Sequence, residues 1–178
     1  MTKPPVGLVL AAGEGKRFGG PKAPYEFEGE RLVDRAVRTL REGGCEPVIV
    51  VLGAWLGHVP NAEMVINFDW STGMGSSLRV GLQALELTDA DRAIVTLVDL
   101  PGLTSSAVAR IADAATSLAA ASYNGARAHP VLLGREHWQP LAESVTGDQG
   151  ARDYLAAHEV ELIEVADIAS GDDLDVRP

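Results

Sequence analysis

The sequence predicts one α/β domain over residues 1–178, built as a doubly wound, mainly parallel sheet. Three observations lead there. Short apolar runs alternate with segments whose apolar residues recur at helical spacing. The first run, Val6–Leu10, is apolar at every position, as a strand covered on both faces requires. No stretch between the runs reads as a linker, a repeat or a low-complexity segment.

Taken in order, Val6–Leu10 is the first strand. Leu32, Ala36, Val37 and Leu40 mark a helix that Gly43-Gly44 ends. Residues 47–52 form a second buried strand and 63–67 a shorter third. Residues 76–85 form a helix for which Ser76 or Ser77 offers an N-cap. Residues 93–98 are a fourth strand, ending on Asp99. Thr104 opens a helix that runs through Val108, Ile111, Ala115 and Leu118. Residues 119–122, 130–133 and 160–165 supply later strands, with helices near 135–141 and 150–158. In such sheets ligands sit beyond the carboxyl ends of the strands. The loop after the first strand and Asp99 then share one edge, if their strands are parallel neighbours.

Composition narrows the function. Hydrophobic residues make up 46% of the chain but aromatic residues only 5%, so Ala, Val and Leu must fill the core. A net charge of −10 argues against nucleic acid or a membrane surface as the main partner. A polyanionic substrate would need metal ions or a local basic pocket. The single cysteine, Cys45, forms no internal disulfide, which fits a reducing cytoplasm. The apolar start is too short for a signal-peptide core and is followed at once by Glu14, Lys16 and Arg17. No run approaches the ~20 apolar residues of a membrane span.

The chemistry concentrates after the first strand. Residues 10–22 read Leu-Ala-Ala-Gly-Glu-Gly-Lys-Arg-Phe-Gly-Gly-Pro-Lys. Glycines allow close backbone approach and present bare N–H groups, while Lys16, Arg17 and Lys22 add positive charge. Such a loop cradles phosphate, or else it is a solvated basic turn. A Walker A string is absent. The dinucleotide fingerprint fails at its third glycine, where Phe18 stands and Gly19 comes one place late. Asp99, at a strand end before Leu100-Pro101, is either a magnesium ligand or a cap for the next turn.

The loop resembles the signature Leu-Ala-Ala-Gly-x-x-x-Arg-x-Gly-x-x-Lys of the MobA-like family, the molybdenum-cofactor nucleotidyltransferases, with Gly13, Arg17, Gly19 and Lys22 in register. Four later segments follow the family's order. Gly73-Met74-Gly-Ser-Ser77-Leu78 is similar to its Gly-Met-x-x-Ser-Leu motif, and Asp99-Leu-Pro to its Asp-Leu-Pro. Ala128-His129-Pro130-Val-Leu is similar to Gly-His-Pro-Val-Leu, and Gly147-Asp148-Gln-Gly-Ala-Arg152 to Gly-Asp-x-Gly-Ala-Arg. The tail Asp173-Leu-Asp175 resembles Asp-Ile-Asp-Thr-Pro, with Val176-Arg177 in place of Thr-Pro.

The resemblance implies a Rossmann-like fold of the nucleotide-diphospho-sugar-transferase kind and a Mg²⁺-dependent transfer of CMP from CTP onto the terminal phosphate of molybdopterin. It implies catalytic roles for Arg17, Lys22 and Asp99. Nucleotide contacts would come from Leu10, Ala11, Ala12, Gly13, Arg17, Lys22, Gly73, Met74 and Ser77. The metal would sit on Asp99 and Asp175, and a phosphorylated pterin-type acceptor on His129, Asp148 and Arg152. A molybdoenzyme receiving the product is an implied partner. Relatives with Ala before the glycine, as at Ala12, tend to use CTP, and those with Gly tend to use GTP. Guanylyl transfer, another phosphorylated acceptor and a non-catalytic carrier of cofactor or nucleotide are the alternatives. From the residues alone, a plain structural His129, a surface Arg152 and a solvated acidic tail also remain open. His58, His137, His158 and Cys45 show no zinc-ligand spacing.

Overall fold

A computed structural model describes residues 2–178. Its main sheet has seven strands: β1 (Val6–Ala11), β4 (Val48–Leu52), β5 (Glu63–Ile66), β6 (Arg92–Leu97), β7 (Leu118–Tyr123), β8 (Ala126–Gly134) and β9 (Glu161–Glu164), in the order β5-β4-β1-β6-β8-β7-β9. Every pairing is parallel except those of β8, which runs against both β6 and β7. A small hairpin of β2 (Glu26–Phe27) and β3 (Glu30–Arg31) stands apart. Its turn uses Glu28 and Gly29 at positive φ (52° and 82°), the geometry that matches the twist of paired strands. Two-residue strands are too short for periodicity to announce.

Alternation along β1 divides the core in two. Val6, Leu8 and Leu10 face α2 (Met74–Glu86), α4 (Trp138–Ser144) and α5 (Arg152–Ala156), where Leu78, Leu82, Leu85, Trp138, Leu141 and Leu155 pack. Val9 and Ala11 face α1 (Leu32–Glu42) and α3 (Ser105–Ala112), where Val33, Val37, Leu40, Val108 and Ile111 pack. Gly7 belongs to this second face. A Cβ there would lie 2.9 Å from Leu40 Cδ1, so the missing side chain lets α1 close onto the sheet.

Two sequence expectations shift. The helix opened by Thr104 does begin there: its hydroxyl accepts from Ala107 N at 3.2 Å, a cap contributing about 1 kcal/mol. It stops at Ala112, however, before Ala115 and Leu118. Arg92 crosses from β6 to donate to the carbonyls of Ala112 and Ala114, satisfying the chain where it leaves the helix, and Leu118 starts β7 instead. The helix expected over 76–85 begins earlier, at Met74. Its cap position is Gly73 (φ 117°), so Ser76 and Ser77 lie inside the first turn and neither caps it.

The register brings the two predicted chemical segments together. Leu10 on β1 pairs with Leu97 on β6, and Val98 N donates to Leu10 O at 3.1 Å. The glycine-rich loop and Asp99 therefore leave the same edge of the sheet, side by side.

Candidate functional site

The loop after β1 is closed on itself by its glycines. Gly19 N and Gly20 N both donate to Gly15 O (2.8 and 3.0 Å), and Gly15 sits at φ 62°. A Cβ on Gly15 would collide with Gly20 O, so only glycine fits that turn. Phe18 is buried beneath it, 2% exposed, with Tyr25 edge-on at 4.8 Å. Among the described residues, the amides of Gly13, Glu14, Gly15, Lys16 and Arg17 donate to no carbonyl or side chain. These five successive donors are unspent, and Gly13, Glu14 and Lys16 line a cleft.

That cleft has two compartments. The first, about 410 Å³, is lined by Leu10, Ala12, Gly13, Glu14, Lys16, Trp70, Ser71, Gly73, Met74, Ser77 and Asp148. The second, also about 410 Å³, is more apolar and reaches Leu78, Val95, Leu97, Arg127, His129 and the turn Asp148–Arg152. Leu10, Met74 and Asp148 line both, so the compartments join. The seam is built tightly: Gly75 N donates to Gly147 O at 2.8 Å, and a Cβ on Gly73 would meet Asp148 Oδ1 at 2.5 Å. Ala11 points elsewhere, into the core under α1.

Charged groups gather where the loop meets β6. Lys22 Nζ lies 2.9 Å from Asp99 Oδ2, both side chains largely buried (16% and 17% exposed). Asp99 Oδ1 is buried and has no hydrogen-bond partner. An unpaired buried carboxylate oxygen is costly unless something binds it, so Asp99 fits a cation ligand. The tail comes to the same place. Leu174 N donates to Asp99 O at 2.9 Å, and Asp175 Oδ2 accepts from Arg17 Nη1 at 3.0 Å. That second pair is exposed and contributes about 1 kcal/mol or less. Arg177, where the family motif has other residues, donates Nε to Phe18 O at 3.0 Å and lies over the Phe18 and Tyr25 rings. The acidic tail is thus strapped across the loop by backbone and guanidinium contacts. No group of three His, Cys, Asp or Glu ligands occurs among the described residues, so any ion needs substrate oxygens as well.

His129 lines the second compartment with part of its surface open to it. Burial pushes its imidazole down to about 4, with the Asp99 carboxylate pulling the other way, so the ring is neutral at pH 7. Asp148 and Arg152 line the same compartment. Sequence reasoning passed over Trp70, Arg127 and Arg177. Trp70 lies in a loop with no periodic pattern, and Arg177 acts through a contact 159 residues away. Only Arg127 gave a signal, as a cation two residues before His129.

The comparisons with known proteins agree with this geometry. Residues 7–162 match the MobA-like NTP transferase domain. A protein of Paenarthrobacter nicotinovorans named nicotine blue oxidoreductase is 37% identical over 187 residues, covering 95% of this chain and 91% of its own. A probable molybdenum cofactor guanylyltransferase of Opitutus terrae is 37% identical over 98 residues, covering 54% of this chain and 48% of that protein. The crystal structure of an Rv0371c homologue from Mycobacterium sp. strain JC1 matches with a TM-score of 0.81 at 27% identity, over 99% of this chain and 92% of the other. The manganese complex of Rv0371c from Mycobacterium tuberculosis H37Rv gives 0.74 at 25% identity, over 91% and 88%.

Proposed function

The chain belongs to the MobA-like NTP transferase family, and from that premise we propose that it moves CMP from CTP onto the terminal phosphate of molybdopterin, releasing pyrophosphate. One observation carries the reading: a cradle of unspent amides, Gly13–Arg17, opens on a compartment that runs directly into a second, more apolar one. A triphosphate and a phosphorylated acceptor can meet at their seam. The acceptor phosphate is already ionised at pH 7, so the protein's task is to orient it and to neutralise growing charge.

In this reading the loop amides and Arg17 hold the triphosphate, and Lys22, fixed by Asp99, faces the α-phosphoryl group. Asp99 and Asp175 would hold a divalent ion, Mg²⁺ in our reading, which would supply positive charge to neutralise the phosphates. The unpaired Asp99 Oδ1 supports that assignment, as does the manganese complex of the related Rv0371c protein. His129, neutral, and Arg152 would orient the acceptor, and Asp148 would sit between the two substrates. Ala12 lines the first compartment, where in this reading its methyl takes room that a purine needs and so favours CTP. One methyl discriminates by about 1–3 kcal/mol. The kcat/KM values for CTP and GTP with the same acceptor test this choice; a GTP preference replaces cytidylyl by guanylyl transfer. A cytoplasmic site of action and delivery of the product to a molybdoenzyme belong to the same proposal.

The relative named nicotine blue oxidoreductase favours a second reading, in which the apolar compartment takes an aromatic redox substrate. Against it, Phe18 is buried where a dinucleotide loop carries its third glycine. Reduction of nicotine blue by NADH or NADPH, with no pyrophosphate released from any NTP, would select that reading.

A further inference from the structure

Trp70 lines the same compartment as Gly13 and Lys16. The other two tryptophans line neither compartment. Trp138 is fully buried and its Nε1 donates to Leu133 O, while Trp55 lies under the Arg31 guanidinium. Trp70 is only partly buried against the β1–α2 core, and among the described residues its indole N–H has no acceptor. A part-exposed amphipathic ring that lines a cleft and keeps a free donor can take a ligand.

Its mounting is rigid. Trp70 opens the 3-10 turn Trp70–Thr72, directly after Asp69. Three side-chain groups converge on the Asp69 backbone. Its amide donates to Asn67 Oδ1 (2.9 Å), and its carbonyl accepts from Thr72 Oγ1 (2.7 Å) and Ser76 Oγ (3.0 Å). Asn67, 2% exposed, is fixed in turn by donating Nδ2 to Ser76 Oγ and Ser77 Oγ. Gly53 completes the seat. A Cβ there would lie 2.6 Å from Trp70 Cβ and 2.9 Å from Ala12 Cβ, so its absence lets Trp70 close against Ala12.

We propose that Trp70 is the surface on which the nucleobase stacks when the triphosphate occupies the glycine-rich loop. The proposal rests on the nucleotide reading above and adds the residue that reads the base. A fixed ring loses little entropy on binding, and stacking serves any base because every base has a π-face. Trp70 therefore sets affinity for a nucleotide over a bare polyphosphate, and Ala12, beside it, sets which base fits.

Titration calorimetry with CTP and with inorganic tripolyphosphate, both with Mg²⁺, separates the base from the phosphates. Trp70→Ala should weaken CTP about tenfold or more, as loss of one stacking partner does, and leave tripolyphosphate within about twofold. Trp70→Phe, which keeps a ring and the fold, should retain most of the CTP affinity and lose the tryptophan fluorescence quench that CTP causes in the wild type. Unchanged CTP affinity in Trp70→Ala, equal loss of both ligands, or a full quench in Trp70→Phe would overturn the proposal. A wild-type protein that binds neither ligand would overturn the nucleotide reading beneath it.

Discussion

Lys22 Nζ and Asp99 Oδ2 lie 2.9 Å apart, joining the glycine-rich loop to the carboxyl end of β6 across 77 residues of sequence. Each neutralises the charge of the other. In the proposed reaction a triphosphate would offer Lys22 a new anion, and a cation would offer Asp99 a new partner. The pair thus holds two opposite charges where the glycine-rich loop of an acidic protein meets β6, without leaving either one bare.

Asp99→Asn keeps the shape of the side chain and removes its charge. The variant should fold, with a loss of about 1–3 kcal/mol from the weakened Lys22 contact, readable as a lower denaturation midpoint. Turnover should fall on the order of 10²-fold or more, since the main electrostatic anchor is gone. Retention of more than about a tenth of wild-type activity would remove Asp99 from the mechanism.

Arg17 and Lys22 should respond differently to truncation. Arg17 is 81% exposed and among the described residues pairs only with Asp175, so Arg17→Ala should leave stability within about 1 kcal/mol while weakening triphosphate binding. Lys22→Ala strands the buried Asp99 carboxylate and should cost several kcal/mol of stability as well as turnover. Chemical denaturation of the two variants side by side checks the contrast; equal losses of stability would contradict it.

Two glycines of the loop make a second contrast. A Cβ at Gly13 meets nothing within 4 Å, so Gly13→Val should fold normally yet fill the space of the phosphates and abolish triphosphate binding. Gly15→Ala forces a side chain into Gly20 O at positive φ and should lower the melting temperature itself. Normal triphosphate affinity in Gly13→Val would show that the ligand does not approach the backbone there.

His129 supplies a pH signature. Its folded value of about 4 lies below its ordinary 6.5, so the unfolded chain binds the extra proton between those values. Its contribution to stability is present above about pH 6.5 and is lost as pH falls toward 4. Unfolding free energies across that window should drop with falling pH, and His129→Gln should flatten that part of the slope. An unchanged slope would mean that the ring is not held neutral.

The sequence made local features legible and long-range ones opaque. Val6–Leu10 and Asp99 announced a strand and a strand end because both signals lie within a few residues. The start of α3 was written in Thr104, but its end was not, since Arg92 caps it from another strand. Ser76 and Ser77 looked like caps because the cap residue itself, Gly73, has no side chain to reveal it. The tail was the least legible. An acidic run normally stays in solvent, and only the fold brings Leu174 to Asp99 and Arg177 to Phe18. Trp70 was invisible for a similar reason: its importance lies in Gly53 and Ala12 beside it, both remote in sequence.

The central claim is transfer of a nucleotidyl group, and a single-turnover experiment tests it most directly. Protein in excess over α-labelled CTP, with Mg²⁺ and molybdopterin, should move the label onto the acceptor and release one pyrophosphate for each label transferred. If none of the four NTPs gives label transfer or pyrophosphate while CTP still binds, the protein is a carrier and not a transferase.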